Sequence, residues 1–219
     1  MSIYLDHNAI PPMHPEVIDA MMPYLQNPVG NPSSLHSYGR MARSAVESAR
    51  AEVAQLLGCE SSAIVFTSGG TENVAGIVGL GKAAQVARLE IGHKKHHLEQ
   101  LRDVFESRLA SIPGSVVFGQ QAPRLPNTTF FALPFYHGET LLMELDRAGF
   151  ALSSGPACHS AVTEPSHVLK AMGVDDSLAL NAIRVSFGMD NSLQDVEKLA
   201  AKLHELVNSL PAVVRQAAV

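Results

Sequence analysis

Apolar positions along the chain follow two rhythms. In "HPEVIDAMMPYL", Val17, Ile18, Met21 and Leu25 fall at helical spacing, and Pro15 suits a first helical turn. "RMARSAVESARAEVAQLLG" is an amphipathic helix that Gly58 closes as a C-cap. "TENVAGIVGLGKAAQVARLE" reads as a helix in spite of Gly76, Gly79 and Gly81, and His93 to Leu109 as a long polar helix. Strand rhythm appears in "SAIVFTSGG", "GSVVFG", "NTTFFALP", "FALSSG" and "AIRVSFG". "GETLLMELDRAG", "SHVLKAMG" (begun by Ser166) and "NSLQDVEKLAAKLHELVNSL" (capped by Asn191 or Ser192) are helices. Strands alternating with helices predict an α/β or α+β fold. Between Val65-Phe66 and Val116 no strand is expected, so residues 1–110 read as a mostly helical segment that lacks a sheet. Residues 111–219 read as a small α+β domain.

Composition narrows the class. The chain has 219 residues, 46% of them hydrophobic, enough for a real core. A net charge of −5, spread along the sequence, argues against a nucleic-acid partner. No apolar run approaches a membrane span, and the opening residues lack the features of a signal peptide. Cys59 and Cys158 do not make a disulfide framework, so a cytoplasmic protein with reduced thiols is expected.

Candidate chemistry concentrates in a few places. "IVFTSGGTEN" joins a β-rich run to a helix through a Gly-rich turn, an arrangement that aims backbone N–H groups at a phosphate or simply turns the chain. Cys158 lies in "SSGPACHSAVTEPSH", a loop of Gly, Pro, Ser and Thr, with His159 adjacent. A loop thiol near a cation or a helix start is a possible nucleophile, and a small buried hydrophobe is the alternative. Cys59, between a helix cap and a β-rich run, reads as structural. Arg184 is a lone cation in an apolar strand and calls for a carboxylate or phosphate, from a ligand or from a salt bridge. His93, His96 and His97 have chelating spacing but sit among lysines in a solvated run, so no metal site is expected.

Taken in order, "YLDHNA", "NPSSLHSYGR", "IVFTSGGTE", "GGTENVAGIVGLGKAA", "RLPNTTFFALP", "SSGPACHS", "EPSHVLKAMG" and "IRVSFG" resemble the cysteine desulfurases of the NifS/IscS type. These are pyridoxal-phosphate enzymes of the class V aminotransferase fold. The resemblance implies that Cys158 is the nucleophile that takes sulfur from L-cysteine as a persulfide, leaving alanine. It implies that Arg184 and Asn8 hold the substrate, with the guanidinium on the carboxylate, and that Gly70 and Thr71 grip the cofactor phosphate. A sulfur-acceptor protein, for iron–sulfur assembly or thiolation, and a homodimer or other self-association are implied as partners.

The same resemblance exposes a gap. Family members carry a long central region between "TSGGTE" and a second "SGTEN"-like motif, and here the two motifs are fused into one. That region supplies the stacking histidine, the aspartate on the pyridine nitrogen and the Schiff-base lysine. "GHKK" at Gly92–Lys95 imitates the lysine motif but belongs to a helix between the domains. Pyridoxal 5'-phosphate is thus the family's cofactor, while this chain lacks the groups expected to hold it. The expectation is a truncated desulfurase-like protein with impaired or no activity. A persulfide carrier without the cofactor, or a binding partner of full-length desulfurase or of sulfur acceptors, is the alternative.

Overall fold

A computed structural model describes residues 2–27, 29–67, 73–133, 135–154 and 165–211. Two compact units emerge, Pro12–Gly92 and, separately, Met1–Pro11 with His93–Val219. The sequence reading drew its boundary near residue 110. The unit boundary instead falls within a helix, and the first strand joins the later unit.

Pro12–Gly92 is helical. Helix α1 spans Pro15–Gln26 and α2 spans Ser37–Leu57, and α3 begins at Val74 and runs to Leu109. Pro15 stands at the start of α1 as expected, and His14 Nδ1 accepts the Glu16 N–H. His36 caps α2 in the same way, accepting the Gly39 N–H at 3.2 Å. Gly58 ends α2 in the left-handed region at φ 67°, which glycine adopts at little cost. The β-rich run around Val65 forms no strand. Ser61–Ala63 is a 3₁₀ turn, and residues 64–67 have no strand partner among the described residues. Strand composition without a hydrogen-bonded neighbour leaves the backbone unladdered. Arg50 instead donates to the Ile64 carbonyl and lies 5.0 Å from the centre of the Phe66 ring.

The two helices expected on either side of residue 92 are one continuous helix of 36 residues, α3. Gly79 and Gly81 do not break it, because they are where other helices come close. A Cβ on Gly81 would sit 2.5 Å from Ala49 Cα, and one on Gly79 would sit 2.6 Å from Met21 Sδ. The core of this unit is slight, built on Ala42, Val46, Ala49, Val74 and Ile77. Ile18, Leu25, Leu35, Met41, Leu57 and Leu89 all stand exposed on it.

The other unit is built on sheet. Strand β1 is Ile3–Tyr4, β2 is Val116–Val117, β3 is Thr128–Ala132, β4 is Phe150–Ala151, β5 is Ser153–Ser154 and β6 is Ala182–Ser186. Strands β2-β3-β6-β5 form an antiparallel sheet in that order. The segment 150–154 changes partner at Leu152: β4 pairs in parallel with β1, and β5 with β6. Helix α4 spans Gly138–Arg147, α5 His167–Ala171, α6 Asp176–Leu180 and α7 Leu193–Ser209. Ser192 caps α7 in a reciprocal box with Asp195. Asn191 bonds elsewhere, accepting from Gly188 N–H and donating to the Tyr4 carbonyl.

The period of two along β3 and β6 divides two faces. Phe131, Ile183 and Val185 join Leu101, Phe105, Leu141, Leu145, Leu199 and Leu203 in the main core against α3, α4 and α7. Phe130, Ala132 and Ala182 face a smaller cluster with Phe118, Leu169 and Ala179. Arg184 and Ser186 share this second face.

Candidate functional site

Arg184 occupies the middle of β6, with Phe130 of β3 and Ser153 of β5 as its cross-strand partners. Central position and flanking strands explain why a cation survives there: the guanidinium reaches past the sheet to a carboxylate. Arg184 Nη2 donates to Asp6 Oδ1 at 2.9 Å, with the two side chains 22% and 19% exposed. Arg184 Nε is buried and makes no hydrogen bond among the described residues. Asp6 is held by backbone as well as by charge. Asp6 and Ser186 form a parallel bridge, His7 N–H donates to the Ser186 carbonyl, and Ser186 N–H donates to the Leu5 carbonyl.

Asn8 lies at the same junction. Its backbone N–H donates to Ser186 Oγ at 3.0 Å. Its amide nitrogen donates to Thr128 Oγ1 at 2.7 Å, and its amide oxygen accepts from Asn127 Nδ2 at 3.0 Å. The structure thus brings Asn8 and Arg184 onto adjoining segments, with both ends of the Asn8 amide engaged by side chains of this chain. Gly70, Thr71 and Cys158 lie outside the described residues. Ser153 and Ser154, which lead towards Cys158, are placed, and they lie beside Arg184 and Ile183.

Two residues that the sequence reading passed over complete the junction. Asp6 is the arginine's partner. His7 packs its ring so closely on Gly188 that a Cβ there would come within 2.1 Å of the imidazole. The ring also meets Tyr4 edge-on. Burial holds the His7 imidazole below its usual value, against a bond to the Tyr4 backbone and the nearby carboxylates of Asp190 and Asp6. The signal for both was present in "YLDHNA", where a charged and a titratable residue follow an apolar pair.

The lysines decide what this site can hold. Lys82, Lys94 and Lys95 lie on α3, Lys170 on α5, and Lys198 and Lys202 on α7, and these are all the lysines of the sequence. Lys82 pairs with Glu16 at 2.8 Å, Lys170 with Asp176 at 3.4 Å and Lys202 with Glu205 at 2.7 Å. Each of these three amines is turned to a carboxylate of this chain. No lysine stands on the segments that carry Asn8 and Arg184. These residues do not fit a pyridoxal phosphate site. A groove of about 490 Å³ in Pro12–Gly92, lined by Tyr24, Met41, Ser48, Glu52 and Lys82 among others, holds neither Asn8 nor Arg184. Among the described residues, no cluster of His, Cys, Asp or Glu is placed to bind a metal. No helix among them is long and apolar enough to cross a membrane.

Comparison with known proteins gives the lineage. The Aminotransferase class-V family model matches residues 3–73 and then 69–199. The chain belongs to the class V aminotransferase family. Within that family it is a truncated protein of the NifS/IscS type, and the two matches overlap at 69–73, where the sequence fuses two motifs. It is 44% identical over 145 residues to a cysteine desulfurase of Gluconacetobacter diazotrophicus, a match covering 63% of this chain and 36% of that one. It is 40% identical over 141 residues to "Cysteine desulfurase IscS" of Methanosarcina thermophila, covering 64% and 35%. The class V chain thus spans little more than a third of the length of these relatives. Its fold is similar to the X-ray structure of a NifS-like protein from Rickettsia africae ESF-5, with a TM-score of 0.84 at 17% identity. That likeness covers 96% of this chain and 100% of the other. The fold therefore has a solved counterpart over 96% of the chain.

Proposed function

We propose that this desulfurase-like chain does not carry out the cofactor-dependent step alone, and that Cys158 receives sulfur as a persulfide and passes it on. The carrying observation is the contrast between two halves of the chemistry. Every lysine lies on a helix, and those at 82, 170 and 202 stand within 3.4 Å of a carboxylate. The sheet that presents Arg184, and whose strand β5 precedes Cys158 in the sequence, packs on the main core. In the transfer, the Cys158 thiolate attacks the outer sulfur of a donor protein's persulfide. A new S–S bond forms, the donor's S–S bond breaks, and the donor cysteine leaves as thiolate. Electrons and sulfur balance without an oxidant or reductant. The donor is a full-length desulfurase acting on L-cysteine, and the recipient is a sulfur-acceptor protein in the cytoplasm. The exposed apolar side chains of Pro12–Gly92 support self-association, as a homodimer, or docking onto a desulfurase.

The test combines two measurements on the full chain. Added pyridoxal phosphate should give no aldimine absorbance and no lysine adduct after borohydride. Incubation with a full-length desulfurase and L-cysteine should add one sulfur to Cys158 by mass spectrometry, and Cys158→Ser should abolish the addition. A borohydride-trapped lysine, or an unmodified Cys158, would overturn the proposal.

A further inference from the structure

Two helices of the Pro12–Gly92 unit begin at a histidine that caps them through its ring. An imidazole accepts a hydrogen bond only at an unprotonated nitrogen. His14 Nδ1 accepts the Glu16 N–H at 3.3 Å, and His36 Nδ1 accepts the Gly39 N–H at 3.2 Å. Their surroundings differ. His14 Nε2 lies 4.0 Å from Glu90 of α3, so a charge on that ring has a counter-ion. The charged neighbours of His36 are Arg40 and Arg43 of α2, which reach back over the loop to the Leu35 and Pro32 carbonyls. Tyr38 stands edge-on to its ring, and the loop 30–35 that folds against it holds no titratable side chain. The His36 ring is packed as well as bonded. A Cβ on Gly30 would stand 2.9 Å from His36 Cε1 and 2.5 Å from Gly39 N, and one on Gly39 would meet the Ser34 carbonyl oxygen at 2.4 Å. The loop is therefore folded tightly onto the first turn of α2, with this imidazole in the contact. A proton on Nδ1 deletes the acceptor. It also sets a third cation beside two guanidiniums, at the positive end of a helix dipole.

We infer that His36 is an acid-operated latch: neutral, it closes the 30–39 loop on the start of α2, and protonated, it releases that loop. The sign follows from the bond. The closed loop needs the neutral ring and the released loop does not, so acid favours release. The latch holds above the range around pH 6.5 where histidine ordinarily takes a proton, and is lost as pH falls below it. Residues 29–32 also wall a hollow of about 150 Å³ with Tyr24 and Leu25 of α1 and Val74 and Ala75 of α3, so release opens one side of that hollow. The inference needs neither Cys158 nor sulfur transfer, and the persulfide proposal can fail while it stands, and the reverse.

The test is amide–water exchange NMR of the Gly39 N–H on the full chain, with the intrinsic pH dependence of exchange divided out. His36→Asn supplies a favoured cap that accepts without titrating in this range. From pH 7.5 to 5.5, protection of Gly39 should fall by roughly threefold or more in the wild type, the scale of a lost cap, and should stay level in His36→Asn. A smaller fall in the wild type, or an equal fall in the variant, overturns the inference. The ¹⁵N spectrum of the imidazole gives a second reading: at pH 7.5 the His36 Nδ1 should be unprotonated, and a protonated Nδ1 there also overturns the latch. Dispersion of the backbone amide spectrum reports whether the variant folds, and His36→Ser, measured in the same way, replaces it if it does not.

Discussion

Replacing Arg124 should unlock the unit that carries Arg184. Glu106 on α3 is 6% exposed, and Arg124 grips both of its carboxylate oxygens, at 2.6 and 2.8 Å. The hydroxyl of Thr129, fully buried on β3, donates to the same carboxylate at 2.9 Å. Arg124→Ala leaves a buried charge with the Thr129 hydroxyl as its remaining close donor. Breaking one side of a buried pair costs about 3–5 kcal/mol. Removing both, as Glu106→Leu with Arg124→Leu, leaves the Thr129 hydroxyl without its acceptor, at about 1–3 kcal/mol. The double variant should thus be more stable than the single one, and adding Thr129→Val should recover most of the remainder. Amide hydrogen exchange along β3 and β6 reads this unit apart from the helical one. A loss of about 3 kcal/mol appears there as exchange faster by roughly a hundredfold. If Arg124→Ala costs under about 1 kcal/mol, or the double variant is worse than the single, the carboxylate is not the buried charge described here.

Two further outcomes follow from the same geometry. His7 titrates below its usual 6.5 in the folded chain because burial disfavours its charge. Around and below pH 6.5 the unfolded chain therefore takes up a proton that the native site resists, so stability falls as pH drops through 6.5 towards the folded value. His7→Phe should flatten that slope in urea unfolding from pH 7.5 to 5.5, and an unchanged slope would remove His7 as its cause. Gly81→Ala should destabilise the helical unit although alanine favours a helix by about 1 kcal/mol, because the new Cβ meets Ala49 at 2.5 Å. Gly92→Ala on the same helix meets nothing within 4 Å and should stabilise it, by about 1 kcal/mol in thermal unfolding.

What the sequence disclosed, and what it hid, follows from the range of each interaction. The strand around Arg184 was legible because a period of two runs through "AIRVS" and a single cation interrupts it. The Gly58 cap and the Ser192 box were legible because they are local chemistry. The identity of the arginine's partner was not, since Asp6 lies 178 residues away and meets it only through tertiary pairing. Strand β1 was missed because two residues are too few to show a rhythm. Val65-Phe66 was overread, since β-branched and aromatic composition implies a strand only where another strand is present to pair with it. The caps of α1 and α2 were missed because histidine is not among the favoured cap residues, yet His14 and His36 each turn a ring nitrogen to a free N–H. The division near residue 92 was an error of opposite kind: the chain changes there from small and apolar to polar, a change of surroundings along one helix, α3, and not an end of it.

The stitching of β1 to strands at the far end of the chain sets an order of events during synthesis. Residues 12–92 have all their described core partners within reach as soon as they leave the ribosome. Asp6 must wait for Arg184, 178 residues later. At roughly 5–20 residues per second, that delay is about nine to thirty-six seconds. The apolar pair Ile3-Tyr4 has no strand to join until Phe150–Ala151 is made, and the acid beside it has no cation to meet until Arg184 follows. Closure of the Asp6–Arg184 pair is thus a late step in biogenesis, and a polypeptide interrupted before β4 is left with an unpaired first strand.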